Sequence, residues 1–207
     1  PFGMAKLAPS TDAHLGNSGG WQAVGYDFRH TSIEGFANFH EFQVGGIVFA
    51  PTVGGLQTVP GELDDPDSGY RSRFPGYYSV ILKDYGVKAE LTATQRVGFH
   101  RYTYPKSEQA NLIFDIGNKQ GESGEVKDAE VQYFDDGRVE GYVVTSPVYV
   151  DIYQKGADVR MYFSAVLNKQ PIEVGTFVKD KVVSAKYQAK GPGTGLYLTF
   201  STEEQES

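Results

Sequence analysis

The chain has 207 residues, of which 40% are hydrophobic and 22% charged, with a formal net charge of -7. This length can bury a full core, and we expect a single domain over residues 1–207, because all-β chains of this size are commonly one unit. The negative charge argues against nucleic acid as a partner, and no stretch is apolar for long enough to predict a membrane span. The absence of cysteine excludes disulfides and thiolate metal sites.

The composition favours strands over helices. The chain holds 25 Gly and 10 Pro together with 14 Tyr and 13 Phe, which is typical of many short strands joined by tight turns. Helical stretches should therefore be few. We predict an all-β fold, an antiparallel β-sandwich of roughly a dozen strands.

The beginning of the chain offers one candidate binding residue. Residues 2–8 are patterned and close at Pro9, and the chain opens at Pro1 without an initiator Met, so we expect a domain excised from a larger protein. The glycine-rich residues 16–20 precede Trp21, the one tryptophan. Trp21 is either a core residue or an accessible ring that stacks on a sugar, and position alone favours neither.

The stretch from Gly35 to Gly54 carries the main candidate site. Polar residues, His40 and Glu41 among them, stand just before the apolar run of residues 47–50, which Pro51 closes. Such a run, bounded by glycines and proline, predicts a buried strand. Loops held by a rigid β scaffold are where binding groups usually sit, so this loop is the predicted site.

From Tyr77 onward the pattern becomes regular. Residues 77–83 predict a strand, residues 84–86 a turn, and residues 87–94 alternate as a half-buried antiparallel strand does. A further strand is predicted over residues 99–105, where His100 and Arg101 are more typical of structural hydrogen bonding than of a catalytic base. The remaining predicted strands cover residues 111–116, 131–134, 138–145, 148–153, 159–167, 172–178, 182–188 and 196–200.

Most catalytic motifs are missing from the sequence. The four histidines show no HxH or HExxH spacing for zinc, and no GxSxG elbow is present. GPGTG at residues 191–195 lacks the Lys-Ser/Thr pair that ends a phosphate-binding loop, so it predicts a turn. A hydrolase with two carboxylates stays open, because Asp27, Glu34 and Glu41 lie near the polar cluster in the sequence.

Several runs resemble one enzyme family. They are PFGMAKLAPST at the start, SIEGFANFH before APTVG, and PGYYSVILKDYGVKAELTATQRVGFHRYTYP from Pro75 to Pro105. Together they are similar to the amino-terminal domain of glycoside hydrolase family 92, the calcium-dependent, exo-acting α-mannosidases. The resemblance implies a supersandwich-like β domain that precedes a larger (α/α)6 catalytic domain. It also implies a protein that works outside the cytoplasm.

The resemblance implies one role for the parent enzyme and another for this chain alone. The parent enzyme would remove terminal α-linked mannose from N-glycan-type oligosaccharides with inversion. Its catalytic carboxylates and most of its calcium ligands would belong to the helical domain, so this chain alone should be inactive and no metal site is expected in it. Two alternatives remain, a free-standing carbohydrate-binding β-sandwich and a sandwich with a purely structural role.

The same resemblance implies five substrate-binding residues. Trp21 matches a tryptophan region that reaches the terminal mannose, and Phe99 and His100 match a segment that we assign to the pocket wall. His40 matches the second histidine of the family's usual HxHLSG run, with Glu41 after it. The sequence departs from that run here, which leaves the linkage preference open.

Overall fold

The computed structural model describes residues 5–10, 33–39, 44–56, 58, 72–74, 76–120 and 123–207. Within these residues it has fifteen strands and one short helix, which confirms the predicted all-β class with little helix. The described helix is too short to cross a membrane. The strands are β1 (Ala8–Ser10), β2 (Gly35–Ala37), β3 (Val48–Val53), β4 (Ser72–Phe74), β5 (Tyr77–Leu82), β6 (Val87–Ala93), β7 (Gly98–Thr103), β8 (Ser107–Asp115), β9 (Glu125–Tyr133), β10 (Arg138–Ser146), β11 (Val159–Val166), β12 (Glu173–Val178), β13 (Lys181–Ser184), β14 (Gln188–Lys190) and β15 (Thr194–Thr202), and the helix is α1 (Val148–Tyr153).

The strands form three antiparallel sheets. The large sheet has the order β1-β2-β3-β8-β15-β12-β13, and the two small sheets have the orders β4-β5-β6-β7 and β11-β10-β9-β14. One hydrophobic cluster contains residues of all three sheets, such as Phe114 of β8, Ala89 of β6 and Val143 of β10. Both small sheets therefore pack against the same face of the large sheet, as the two layers of a sandwich do.

The central strands of the large sheet are buried on both faces. Phe49, Phe114 and Leu196 stand opposite one another in β3, β8 and β15 and belong to the main core. Their neighbours Ile113 and Tyr197 point to the other face, where they form a second cluster with Ala50 and Phe177. Double burial explains why the sequence around Ile47 is a continuous apolar run rather than an alternating one.

Pro51 lies inside β3, although the sequence predicts that it closes this strand. Gly54 N–H donates to Gln109 O of β8, so by alternation the backbone nitrogen of Pro51 points to the opposite side, toward β2. The pairing of β2 with β3 covers Phe49 and Val48 and does not reach Pro51. The missing N–H therefore costs no ladder bond, which is the usual condition for proline in a sheet.

Residues 148–153 form helix α1, and the predicted strand there is wrong. Pro147 precedes the helix in an extended conformation and cannot donate to a ladder, so it ends the pairing of β10. Asp151 Oδ1 then accepts from Gly156 N–H at 2.7 Å, which fixes the turn after the helix. Tyr149 and Tyr153, one helical turn apart, meet edge to face with their centroids at 5.3 Å.

The prediction of one strand over residues 182–188 is also wrong. This stretch is divided between β13, which pairs with β12 of the large sheet, and β14, which pairs with β9 of a small sheet. Ala185 between them has φ 53, a left-handed conformation that interrupts the extended chain. The chain therefore passes at Ala185 from the large sheet to a small sheet. The β-branched residues of this stretch favour extended chain but do not indicate the change of sheet.

Replacing Gly175 by alanine should destabilise the protein. A Cβ on Gly175 would lie 2.4 Å from the ring of Tyr197, whose buried hydroxyl donates to Glu173 Oε1 at 2.7 Å. The ring must move, and we expect a loss of about 1–3 kcal/mol in the free energy of unfolding, measured by urea denaturation. Gly55→Ala is the matched control, because a Cβ there meets no atom within 4 Å. Equal stability of the two variants would contradict the packing argument.

Candidate functional site

A cleft of about 580 Å³ separates the two small sheets. One wall is β7, and the other consists of the end of β11 and the residues that follow it, up to Lys169. The large sheet supplies an apolar floor, which includes Phe49, Leu112 and Phe114. Because β7 and β11 are the last strands of their sheets, the cleft is an opening in one layer of the sandwich.

His100 lies against the floor of this cleft. Its ring is 4.7 Å from the ring of Phe49, centroid to centroid, and its Nδ1 is 2.8 Å from the hydroxyl of Tyr102. Burial lowers the pKa of His100 to about 4, so the imidazole is neutral at neutral pH. Its Nε2 is inaccessible to solvent and has no hydrogen-bond partner among the described residues, although the residue as a whole is only half-buried.

Asn38 lines the same cleft as His100. Its Oδ1 is also buried and has no partner within the described part of the chain. The close approach of β7 depends on Gly98, since a Cβ there would lie 2.2 Å from Asn38 Oδ1 and 2.5 Å from Leu7 Cδ1. Glycine therefore brings the start of β7 against the segment that precedes His40.

The outer face of β7 is organised by a carboxylate. Glu90 of β6 is 6% exposed, and Arg101 donates to its two carboxylate oxygens at 2.8 Å each. Tyr77 donates to the same group at 2.5 Å, and Lys88 Nζ lies 3.1 Å away. The Arg101 hydrogen bonds lower the pKa of Glu90 to about 2. This network holds the wall of the cleft from its outer side.

The structure separates the two predicted site residues that it describes. Phe99 and His100 are neighbours in β7, so their side chains point to opposite faces. Phe99 is 56% exposed on the outer side, whereas His100 points to the floor. The two do not share one face, and His100 and Arg101 bond to different partners rather than to each other.

The other predicted site residues, Trp21, His40 and Glu41, lie outside the described residues. The structure fixes the chain on either side of His40. Asn38 before it lines the cleft, and Val44 after it accepts a hydrogen bond at 2.6 Å from Thr145 Oγ1 of β10. The described residues on either side of His40 and Glu41 therefore lie beside different small sheets, Asn38 near Gly98 of β7 and Val44 near Thr145 of β10.

Sequence reasoning did not predict the cleft itself. Asn168 and Lys169 on one wall, and Glu206 and Ser207 at one end, are far from the predicted site in sequence. No motif marks them, because only the pairing of distant strands brings them together. Asn38 could have been found, since it belongs to the polar cluster that precedes β3.

The fold and the cleft define a class of protein, an antiparallel β-sandwich domain whose second layer is open between β7 and β11 in the part of the chain that the structure describes. The particular family follows from comparison, because the model of the glycosyl hydrolase family 92 N-terminal domain matches residues 1–207. The chain belongs to this family, as its sequence resemblance predicted.

Solved structures of family 92 enzymes are similar over the whole chain. A family 92 α-mannosidase from Bacteroides thetaiotaomicron superposes with a TM-score of 0.83 at 27% identity, covering 100% of this chain and 29% of that one. A structure of the same enzyme with mannoimidazole gives 0.80 at 29% identity, covering 100% and 28%. An inverting family 92 mannosidase of that organism gives 0.71 at 18% identity, covering 98% and 26%, and shares the fold. The search of curated proteins found no match.

The chain thus spans less than a third of the length of these mannosidases. Among its described residues there is no group of three or more His, Cys, Asp or Glu side chains that could hold a metal ion. Calcium binding stays a prediction from the family resemblance.

The neutral, half-buried His100 should make the free energy of unfolding fall in mild acid. Its folded pKa of about 4 lies below the ordinary 6.5, so the unfolded chain binds more protons between these values. Stability from this group is complete above pH 6.5 and is lost as pH falls toward 4, by about 2 kcal/mol between pH 7 and pH 5. Asp115, whose pKa burial raises to about 6, acts in the opposite direction. The effect is therefore measured as a difference between variants.

The test compares the wild type with His100→Phe by urea denaturation at pH 7 and pH 5. Phenylalanine keeps the ring on Phe49 and removes the titrating group, so the variant should lose less stability on acidification. Identical pH dependence of the two proteins would show that the imidazole is already solvated.

Proposed function

We propose that this chain is the non-catalytic N-terminal β-sandwich domain of an inverting, calcium-dependent exo-α-mannosidase that acts on mannose-containing glycans outside the cytoplasm. The observation that carries the proposal is the likeness of the whole chain to less than a third of a family 92 α-mannosidase. A domain that is one part of a longer enzyme can contribute side chains to the substrate pocket even when the two catalytic carboxylates belong to another domain. The mannoimidazole complex of the relative supports a mannose-type substrate.

In this proposal the chemistry belongs to the helical domain. Inversion needs two carboxyl groups about 6.5–9.5 Å apart, so that a water molecule fits between the sugar and the general base. Calcium prefers oxygen ligands and would hold sugar hydroxyls. The β-sandwich would supply a rigid wall, and its loops would supply the contacts to the terminal mannose.

Four side chains are proposed to face the sugar. Trp21 offers a flat ring for the C–H face of a hexose, and His40 and Glu41 offer hydrogen-bonding groups. Phe99 is exposed on the outer side of β7 and could complete an apolar wall. His100 is proposed to act by supporting β7 from below, because its ring packs on Phe49 and its Nδ1 is bonded to Tyr102.

A second candidate, a free-standing carbohydrate-binding module, is favoured by one observation. Tyr162 of β11 is 64% exposed, and its ring centroid lies 5.8 Å from that of Tyr142 in β10. An exposed tyrosine beside a half-buried one on the face of a sheet resembles an aromatic platform for sugars. Calorimetry separates the candidates: micromolar binding of mannosides by this chain alone would favour the module, because half of a composite pocket should bind weakly.

Replacing Trp21 by alanine in the full-length protein should lower kcat/KM for α-mannosides by about 100-fold, which corresponds to about 2.7 kcal/mol of transition-state stabilisation. Trp21→Phe is the conservative control, because it keeps an aromatic face, and it should retain most of the activity. Initial rates with a chromogenic α-mannoside provide the measurement. Unchanged turnover in the alanine variant would remove Trp21 from the sugar site.

Chelation of calcium should abolish turnover by the full-length protein and leave this chain unaffected. The ligands are proposed to lie in the helical domain, so adding calcium back should restore activity. The melting temperature of the chain spanning residues 1–207 should be the same in EDTA and in millimolar calcium. A clear rise in the melting temperature with calcium would place a site within the chain.

A further inference from the structure

The second layer of the sandwich is interrupted where β7 and β11 flank the cleft. Among the described strands, β7 pairs with β6 alone and β11 pairs with β10 alone. Each presents one unpaired backbone edge, and the floor between them is apolar. Unpaired strand edges beside an apolar cleft are an unusual arrangement for a finished sheet, because both favour the addition of a strand.

Residues 206 and 207 lie at one end of this cleft and contact both walls. On one side, Tyr104 N–H, just after β7, donates to Glu206 O at 2.8 Å in an antiparallel bridge. On the other side, Asn168 Nδ2, just after β11, donates to Ser207 O at 3.3 Å. Lys169 Nζ also reaches Glu206 Oε1, at 2.5 Å. The ends of both flanking strands therefore meet the same two residues.

This meeting point fixes the relative direction of the two walls. Because β7 and β11 both end beside residues 206 and 207, they run in the same direction along the cleft. All paired strands in the two small sheets are antiparallel. One strand of opposite direction between β7 and β11 would make the layer continuous and antiparallel throughout, with about 4.8 Å between neighbours.

We propose that, in the full-length protein, the residues that follow Ser207 form a strand that fills the cleft between β7 and β11. The relatives are more than three times as long as this chain, and the bridge at Glu206 already points the backbone into the gap. The inference rests on the proposed function in one respect, that the chain is part of a longer protein. The added strand joins the two small sheets into one layer over the large sheet.

The bridge also sets the register. The N–H of Tyr104 points into the gap, so by alternation the N–H groups of Tyr102 and His100 do so too. The first residue after Ser207 then stands opposite Tyr102, the third opposite His100 and the fifth opposite Gly98. Opposed side chains share a face, so these three residues point to the apolar floor and should be apolar, whereas the second and fourth point outward.

A disulfide across the new pair tests this register in the full-length protein. Residues 1–207 contain no cysteine, so no native thiol in this part of the protein competes with an introduced pair for disulfide formation. Phe99→Cys combined with cysteine at the fourth residue after Ser207 should cross-link in most molecules on mild oxidation, because the two positions are opposed on the outer face. The control places the second cysteine at the third residue, whose side chain points to the floor. Peptide mass mapping measures the cross-link.

Hydrogen exchange on the unsubstituted full-length protein provides a second measurement. With the strand in place, the amides of His100 and Tyr102 should exchange within about tenfold of the slow amides of β6. Exchange at the rate of free edge amides, or a cross-link in the control pair only, would overturn the proposal.

Activity of the unsubstituted full-length protein separates the two proposals. α-Mannoside turnover with no cross-link in the test pair and unprotected amides would leave the proposed function standing and remove the strand. A cross-link in the test pair with no hydrolysis of α-mannosides would support the strand and count against the mannosidase.

Discussion

The structure depends on covering one face of the large sheet. Phe114 and Leu196 are completely buried on that face, and removing such side chains from water contributes about 1.5–3 kcal/mol each. Two small sheets provide the cover instead of one wide sheet. The opening between them, with Phe49 and Leu112 on its floor, is a direct result of this division. The cleft therefore belongs to the core architecture rather than to a loop.

The sequence predicts strands well where one face is solvated. Residues 87–93 alternate because Lys88 and Glu90 point outward while Ala89 and Leu91 point to the core, and the hairpin with β5 appears where it was predicted. The strand predicted over residues 148–153 is wrong because local composition and the proline disagree. The β-branched and aromatic side chains of these residues favour a strand, whereas Pro147 ends the ladder of β10. No local pattern shows that β3, β8 and β15 are neighbours, because the pairing joins segments far apart in the chain.

Only part of the candidate site could be predicted. The sequence predicts a strand that contains Phe99, His100 and Arg101, and strict alternation places Phe99 and Arg101 on one face of it and His100 on the other. Alternation alone therefore distinguishes His100, whose imidazole packs on Phe49, from Phe99, whose ring is exposed. The participation of Asn168 and Glu206 could not be predicted, because it depends on the return of the chain after β15 to the end of β7.

The polarity of the cleft indicates what it is suited to hold. A hexose needs several hydrogen-bonding groups that are free to turn toward its hydroxyls. Here the Tyr104 hydroxyl donates to Asn111 O at 2.8 Å, and the Tyr102 hydroxyl is bonded to His100. The imidazole is neutral, and the charged walls are at the rim, where Arg101 is bonded to Glu90. The two polar cleft atoms without a partner among the described residues, Asn38 Oδ1 and His100 Nε2, are inaccessible to solvent. An apolar floor between two unpaired strand edges is therefore better matched to a peptide strand than to a sugar. In the proposed function, the sugar contacts are therefore assigned to Trp21, His40 and Glu41 rather than to the floor of the cleft.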